Sequence, residues 1–320
     1  MLSRVAENIY WMARYIERAE NTARLVNVTS LLLMDLPRTE HFGWSSINTI
    51  TANQERFDKL YPEATEQNVV RFTVGERKNP GSILSSLTYA RDNARTIREI
   101  IPRIAWETLN ALHMTTKKNL PAARSQQRRY DYLQSVILES QKLTGILDGT
   151  MNRDEGYVFL QLGRTLERAD MTTRTVDARF TRQLSNAGGR EFENLEWMSM
   201  LRTLSAYQTY RRRMQIRIQR GDVLRFLLQD IQLPRSYHYC LRKLEADLAL
   251  LPRHEAPIRT ARRLKKAIVK AVPEDLTQSE LHQFNDRLQV GLIALDQLIG
   301  DTYFNLSETT GDTGKRVGQA

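Results

Sequence analysis

Between Leu2 and Leu36, apolar or small residues recur at Val5, Ile9, Met12, Ile16, Ala19, Ala23 and Val26. The steps alternate between four and three, which predicts one long helix with a packing seam. Ser3 suits its N-cap and Pro37 its end. Residues 37–80 are less regular. Trp44 to Phe57 reads as a short helix, and Val70, Phe72 and Val74 alternate with polar residues as a brief extended stretch. Asn79-Pro80-Gly81-Ser82 is a turn and helix-start signal. Helices follow from Ile83 to about Ile101, from Arg103 to Thr115 and from Pro121 to Leu147, where Gly145 and Gly149 mark the end. Asn152, spaced from Glu155 as in a capping box, opens another that runs to about Leu184 before Gly188-Gly189. The remainder reads as helices over Glu191–Arg220, Asp222–Gln229, Ser236–Leu251, Ile258–Val272 and Leu276–Leu306, punctuated by Pro234, Pro252, Pro257 and Pro273. Ser307 to Ala320 is polar and reads as a disordered tail.

Two of these helices carry the same pattern. Tyr10 to Val26 (YWMARYIERAENTARLV) aligns with Phe159 to Val176 at an offset of 150 residues, so that Arg14 matches Arg164, Glu17 matches Glu167 and Arg18 matches Arg168. Ala19 and Ala169, Thr22 and Thr172, and Arg24 and Arg174 also match, and Glu20 and Asp170 are both acidic. The seam recurs as Phe159, Leu162, Leu166, Ala169, Thr173, Val176 and Phe180. The expectation is an all-α, long-helix bundle with an internal pseudo-twofold repeat of a motif-bearing helix.

Composition narrows the class. The 320 residues, 41% hydrophobic and 26% charged, make a globular chain large enough for a real core. Only 15 Gly and 9 Pro punctuate it, which favours long helices. The single cysteine, Cys240, excludes an intramolecular disulfide and fits a reducing compartment. No apolar run is long enough to span a membrane, and Arg4, Glu7, Arg14 and Glu17 break any signal-peptide core, so a cytoplasmic location is expected. The net charge of +10 suggests an acidic partner, with basic runs over Arg211, Arg212, Arg213, Arg217 and Arg220 and over Arg259, Arg262, Arg263, Lys265, Lys266 and Lys270.

Familiar catalytic patterns are missing. There is no glycine-rich dinucleotide loop, no Walker lysine loop and no serine nucleophile elbow. The five histidines, His41, His113, His238, His254 and His282, form no metal-ligand spacing, so no metal or other cofactor is expected. What remains is the Arg-x-x-Glu-Arg face. With Ile16 and Ala19 on the seam, Arg14, Glu17, Arg18, Asn21 and Arg24 lie on the other side of the helix, as do Arg164, Glu167, Arg168, Met171 and Arg174 in the second copy. Three readings stand open. The face is solvated, with pairs worth about 0.2–0.5 kcal/mol each. Or the two faces are buried and cross-bonded. Or they share a cleft in which arginines hold an anion and the carboxylates bind an amine or act as acid and base.

These motifs resemble the alpha-E family, a bacterial helical domain named for its repeated Glu-Arg motif. MLSRVAENIYWMARYIERAENTARLV is similar to the family's opening and LGRTLERADMTTRTVD to its second motif. RFTVGERKNPGSILSSLTYARDNARTIRE (Arg71 to Glu99), LSAYQTYRRR (Leu204 to Arg213) and FLLQDIQLPRSYHYCL (Phe226 to Leu241) extend the likeness over nearly the whole chain. Ala13 stands where many members have glycine, as Gly163 does in the second copy, a departure of small consequence in a helix. The resemblance implies one helical domain over 1–306, made of two related halves (1–150 and 151–306), with 307–320 as the tail. It also implies a partner or scaffold role beside a circularly permuted ATP-grasp protein and a transglutaminase-like protein, in a system that makes or modifies a peptide.

Carried onto this sequence, the motif makes Glu17 and Glu167 the candidate acid and base. The candidate ligand-binding residues are Arg14, Arg18, Arg24, Arg164, Arg168 and Arg174. Secondary candidates are Arg91, Asn93, Arg95 and Arg98, together with Arg235 and Ser236, where Pro234-Arg235-Ser236 opens a helix that either binds an anion or is simply capped. Three functions follow: a scaffold or partner with a face for an anionic or peptide-like ligand, an enzyme of the same system using Glu17 and Glu167, or a binder of nucleic acid or another acidic surface through the late basic helices.

Overall fold

The computed structural model describes residues 1–35, 43–178, 190–214 and 218–305. Among them the regular structure is entirely α-helical. In chain order the helices are α1 (Ser3–Asp35), α2 (Ser45–Ile50), α3 (Gln54–Asp58), α4 (Glu66–Gly75), α5 (Ile83–Thr96), α6 (Arg103–Lys118), α7 (Leu120–Arg124) and α8 (Gln126–Thr150). Then come α9 (Glu155–Asp177), α10 (Arg190–Thr203), α11 (Tyr207–Met214), α12 (Arg220–Gln229), α13 (Tyr237–Leu248), α14 (Glu255–Lys270) and α15 (Gln278–Tyr303). No helix among the described residues is long and apolar enough to cross a membrane.

The two motif helices, α1 and α9, pack against each other at the centre. α1 also lies on α5 and α8, with α6 between these two on the outside. α9 lies on α13 and α15, with α14 between. The seam residues Ile9, Met12, Ile16, Ala19, Ala23 and Val26 are buried, as are Phe159, Leu162, Leu166, Ala169 and Val176. Gly163 sets the closest approach: a Cβ there would stand 2.3 Å from the Tyr10 carbonyl oxygen. This glycine is required by packing, whereas Ala13 fits its buried place in α1.

Several boundaries depart from the sequence reading. Val70, Phe72 and Val74 are not extended; they lie in α4, whose N-cap Thr65 accepts a hydrogen bond from Asn68 N at 3.3 Å. Val69 and Thr73 are buried as well, so the two-residue alternation was part of a fully buried helix segment. The stretch from Trp44 to Phe57 divides into α2 and α3 at Ala52, whose φ of 52° interrupts the helix. The Pro121 helix divides at Ser125 into α7 and α8; Gly145 lies inside α8, while Gly149 is next to its last residue, Thr150. Asp154, not Asn152, caps α9, accepting from Gly156 N at 2.9 Å and Tyr157 N at 3.3 Å. The helix expected over Glu191–Arg220 separates into α10 and α11 at Ser205, with φ 55°. Pro37, Phe180, Leu184, Gly188-Gly189 and the 307–320 tail fall outside the described residues.

Candidate functional site

Arg14, Glu17 and Arg18 share one face of α1 because they are spaced three and four residues apart. That face is not solvent-facing. With α9 on one side and α5 and α8 on others, α1 is enclosed nearly all round, and Glu17 is 1% exposed and Glu167 5%. The two helices exchange partners. Arg168 Nε of α9 reaches Glu17 Oε1 at 3.0 Å. In return Arg18 grips Glu167 with a two-pronged fork, Nε to Oε1 at 2.6 Å and Nη2 to Oε2 at 2.8 Å. Such bidentate pairs fix orientation as well as adding energy.

Each carboxylate has a second cation. Arg14 Nε donates to Glu167 Oε2 at 3.0 Å, while Arg235 Nη1, from the turn before α13, lies 2.9 Å from Glu17 Oε1. Arg235 also donates to Asn21 Oδ1 at 2.6 Å and to Glu20 Oε1 at 3.3 Å, and Thr172 Oγ1 donates to the Arg235 carbonyl at 2.7 Å. Arg24 and Gln141 complete the shell of Glu20. Further out, Arg14 Nη1 meets Asp296 of α15 at 2.8 Å, where Tyr10 also donates its hydroxyl. Arg164 meets Asp148 of α8 at 3.1 Å.

Burial pushes the Glu17 carboxyl up, but Arg168 and Arg235 outweigh it and hold it at about 2. Glu167 is likewise raised by burial and lowered more by Arg18 and Arg14, ending below the ordinary carboxylate range. Both groups stay ionised at neutral pH, Glu167 accepting hydrogen bonds from Arg14 and Arg18 and Glu17 lying within ion-pair distance of Arg168 and Arg235. Cys240, near Arg168 and Arg235, is pushed by burial up to about 12 and stays a protonated thiol.

Beside Glu167 the ionic cluster opens into a cleft of about 220 Å³. Arg18, Thr22, Glu167, Asp170, Met171 and Arg174 form its floor, and the turns around Ala52 and Gly81 form its rim. Arg174 Nε binds Asp170 Oδ2 at 2.8 Å along α9.

The sequence candidates therefore divide. Arg14, Glu17, Arg18, Arg24, Glu167, Arg168 and Arg235 meet in one cluster, Arg174 lies in the adjoining cleft, and Arg164 is turned to Asp148. Ser236 caps α13 by accepting from Tyr239 N at 3.0 Å. Arg91 belongs elsewhere: it donates to Asn110 of α6 at 2.7 Å and lies over Trp106. Arg95 is exposed near Asp92, and Arg98 pairs with Glu99 on the surface; Asn93 lies half-buried on the same helix, α5. Asp148 and Asp296 were missed. Their signal was a Leu-Asp pair, Leu147-Asp148 and Leu295-Asp296, near the C-terminal ends of two long helices.

Comparison with known proteins agrees with this motif. Residues 1–304 match the Alpha-E model, described as a predicted alpha-helical domain with a conserved ER motif, and the chain belongs to that family. Uncharacterised proteins of Mycobacterium bovis and Mycobacterium tuberculosis are 24% identical over 301 residues, covering 86% of this chain and 33% of each relative. The chain thus spans about a third of the length of the curated relatives it matches. No solved structure matches it.

Proposed function

We propose that this alpha-E chain is a non-catalytic helical partner in an ATP-grasp-linked peptide synthesis or modification system. Its Glu-Arg motifs act as an ionic clasp, and the cleft beside them receives an anionic or peptide-like ligand. The observation that carries this reading is that Glu17 and Glu167 are each buried and each held by two arginines. A general acid or base needs a proton it can exchange at working pH and a path to the substrate. A carboxyl held at about 2 between two guanidiniums offers neither. That the relatives are about three times as long fits a module that works beside others.

The test is co-expression with a circularly permuted ATP-grasp protein and a transglutaminase-like protein from the same organism, reading complex formation and ATP-dependent product. Glu17→Gln should lower product only in proportion to the folded fraction lost, whereas Glu167→Gln, on the cleft floor, should in addition raise the ligand concentration needed without abolishing product. Stable, correctly folded variants with no product would restore the enzyme reading.

A second reading keeps one observation. On α14, Arg259, Arg263, Lys266 and Lys270 are exposed and form no ion pair among the described residues. Such a stripe suits an acidic surface, including nucleic acid, and predicts binding that weakens steeply with salt. The other basic run is more occupied, since Arg213 binds Asp230 at 2.8 Å and Arg220 donates to the Glu274 and Leu276 carbonyls.

A further inference from the structure

The surroundings of Arg235 and the walls of the cleft are built from aligned positions. Around Arg235 stand Glu17, Glu20, Asn21, Arg24, Arg168 and Thr172. At the offset of 150 residues these become Glu167, Asp170, Met171, Arg174, Arg18 and Thr22, which are the floor of the cleft. The turn that delivers Arg235 has a counterpart too. Pro234-Arg235-Ser236 ends in the N-cap of α13, and Pro80-Gly81-Ser82 ends in the N-cap of α5, with Ser82 accepting from Ser85 N at 3.2 Å. Gly81 lines the cleft. Where one turn inserts an arginine side chain between α1 and α9, the other presents a glycine and leaves space.

Two groups in that space lack the partner that Arg235 provides on the other side. The Thr172 hydroxyl donates to the Arg235 carbonyl, whereas Thr22, 1% exposed and on the cleft wall, makes no side-chain hydrogen bond among the described residues. Glu20 Oε1 accepts from Arg235, whereas Asp170 uses only Oδ2, for Arg174, and leaves Oδ1 unengaged. Glu167 already holds Arg14 as its second cation, so Asp170 supplies the free anionic acceptor.

We infer that the cleft is a receptor for the arginine side chain of a peptide, bound as Arg235 is bound in its own slot. The guanidinium donates to Asp170 and lies along Glu167. The peptide carbonyl of the same arginine accepts the Thr22 hydroxyl. Met171 in place of Asn21 removes one acceptor, so the ligand is held less tightly than Arg235 and is free to exchange. The mouth lies at Ala52 and Pro80, which are both exposed. The inference rests on the cleft of the proposed function being a binding site; the clasp does not depend on it.

The test is calorimetric titration of the full chain with Nα-acetyl-L-arginine amide, its uncharged isostere Nα-acetyl-L-citrulline amide, and inorganic phosphate. Saturable binding of the arginine compound is expected, with the citrulline compound weaker by about tenfold or more for loss of a charged hydrogen bond. Gly81→Arg should fill the cleft from within the chain and abolish binding. A Cβ at 81 would stand 3.1 Å from Asn53 Nδ2, so the rim must shift slightly. Should that variant not fold, Thr22→Val, which removes only the hydroxyl, should weaken binding several-fold at unchanged melting temperature. No saturable binding of the arginine compound, equal binding of citrulline, or binding of phosphate in its place would overturn the inference. The loss of stability in Glu17 variants would be unaffected, so the clasp and the receptor fail separately.

Discussion

At the scale of single residues, the motif carboxylates are held more firmly than their spacing alone required. Removing one partner of a buried pair leaves the other charge uncompensated, which costs about 3–5 kcal/mol. Glu17→Ala, which strands Arg168 and removes one partner of Arg235, should lower the unfolding free energy measured in urea by an amount of that order. Acid should do the same. The folded Glu17 carboxyl titrates at about 2 and its ordinary value is 4.5, so its contribution is complete above 4.5 and is lost as pH falls through 2. The difference is on the order of 3 kcal/mol. Denaturation midpoints measured between pH 6 and pH 2 should therefore fall less steeply in Glu17→Gln than in the parent. The residue types of the motif were legible, because the Glu-Arg identities recur at one fixed offset, but not the partners, since Arg14 pairs with Glu167 rather than with Glu17 on its own helix. Their burial was not, since a spacing of three and four residues is the same on a wet face and a dry one. Arg235 was read as a capping or anion-binding residue because nothing local indicates that its guanidinium crosses to α1.

At the scale of elements, long periodic helices were well marked and their interruptions were not. α1 and α9 follow from their seams, whereas the caps were less legible: Asp154 rather than Asn152 caps α9, and the Thr277–Glu280 capping box of α15 shows only in the structure. The breaks at Ala52 and Ser205 rest on a left-handed backbone at non-glycine residues, which sequence does not announce. Glycine marked the end of α8 at Gly149 but not at Gly145, and the packing role of Gly163 was not visible in the sequence. Gly145 lies inside α8 and Gly149 one residue from its end, both with nothing within 4 Å of an added Cβ, so alanine should raise stability by about 0.5–1 kcal/mol at 145 and by less at 149. Gly163→Ala should lower it by about 1–3 kcal/mol, because the new methyl meets the Tyr10 backbone and forces α1 and α9 apart. Thermal unfolding of the three variants checks both signs at once.

At the scale of the whole molecule, α1 with α5, α6 and α8 mirrors α9 with α13, α14 and α15 in packing order. We read 1–150 and 151–306 as related halves on that order and on the aligned motifs. The reciprocal pairs, Glu17 with Arg168 and Glu167 with Arg18, join one such set of helices to the other. On this reading the Glu-Arg motif is the fastener between the halves, and the asymmetry between Arg235 and Gly81 is what leaves room for a ligand. The fold class and the two motif helices could be inferred from the chain alone. Which half keeps an open slot could not, because it depends on a single turn residue far from the motif.

The most direct measurement is a double-mutant cycle between Glu17 and Arg168, using Glu17→Gln, Arg168→Gln and the combined variant in equilibrium denaturation. A clasp predicts destabilisation by each single change and a coupling of about 2 kcal/mol or more between them. Single variants as stable as the parent, or a coupling near zero, would contradict it.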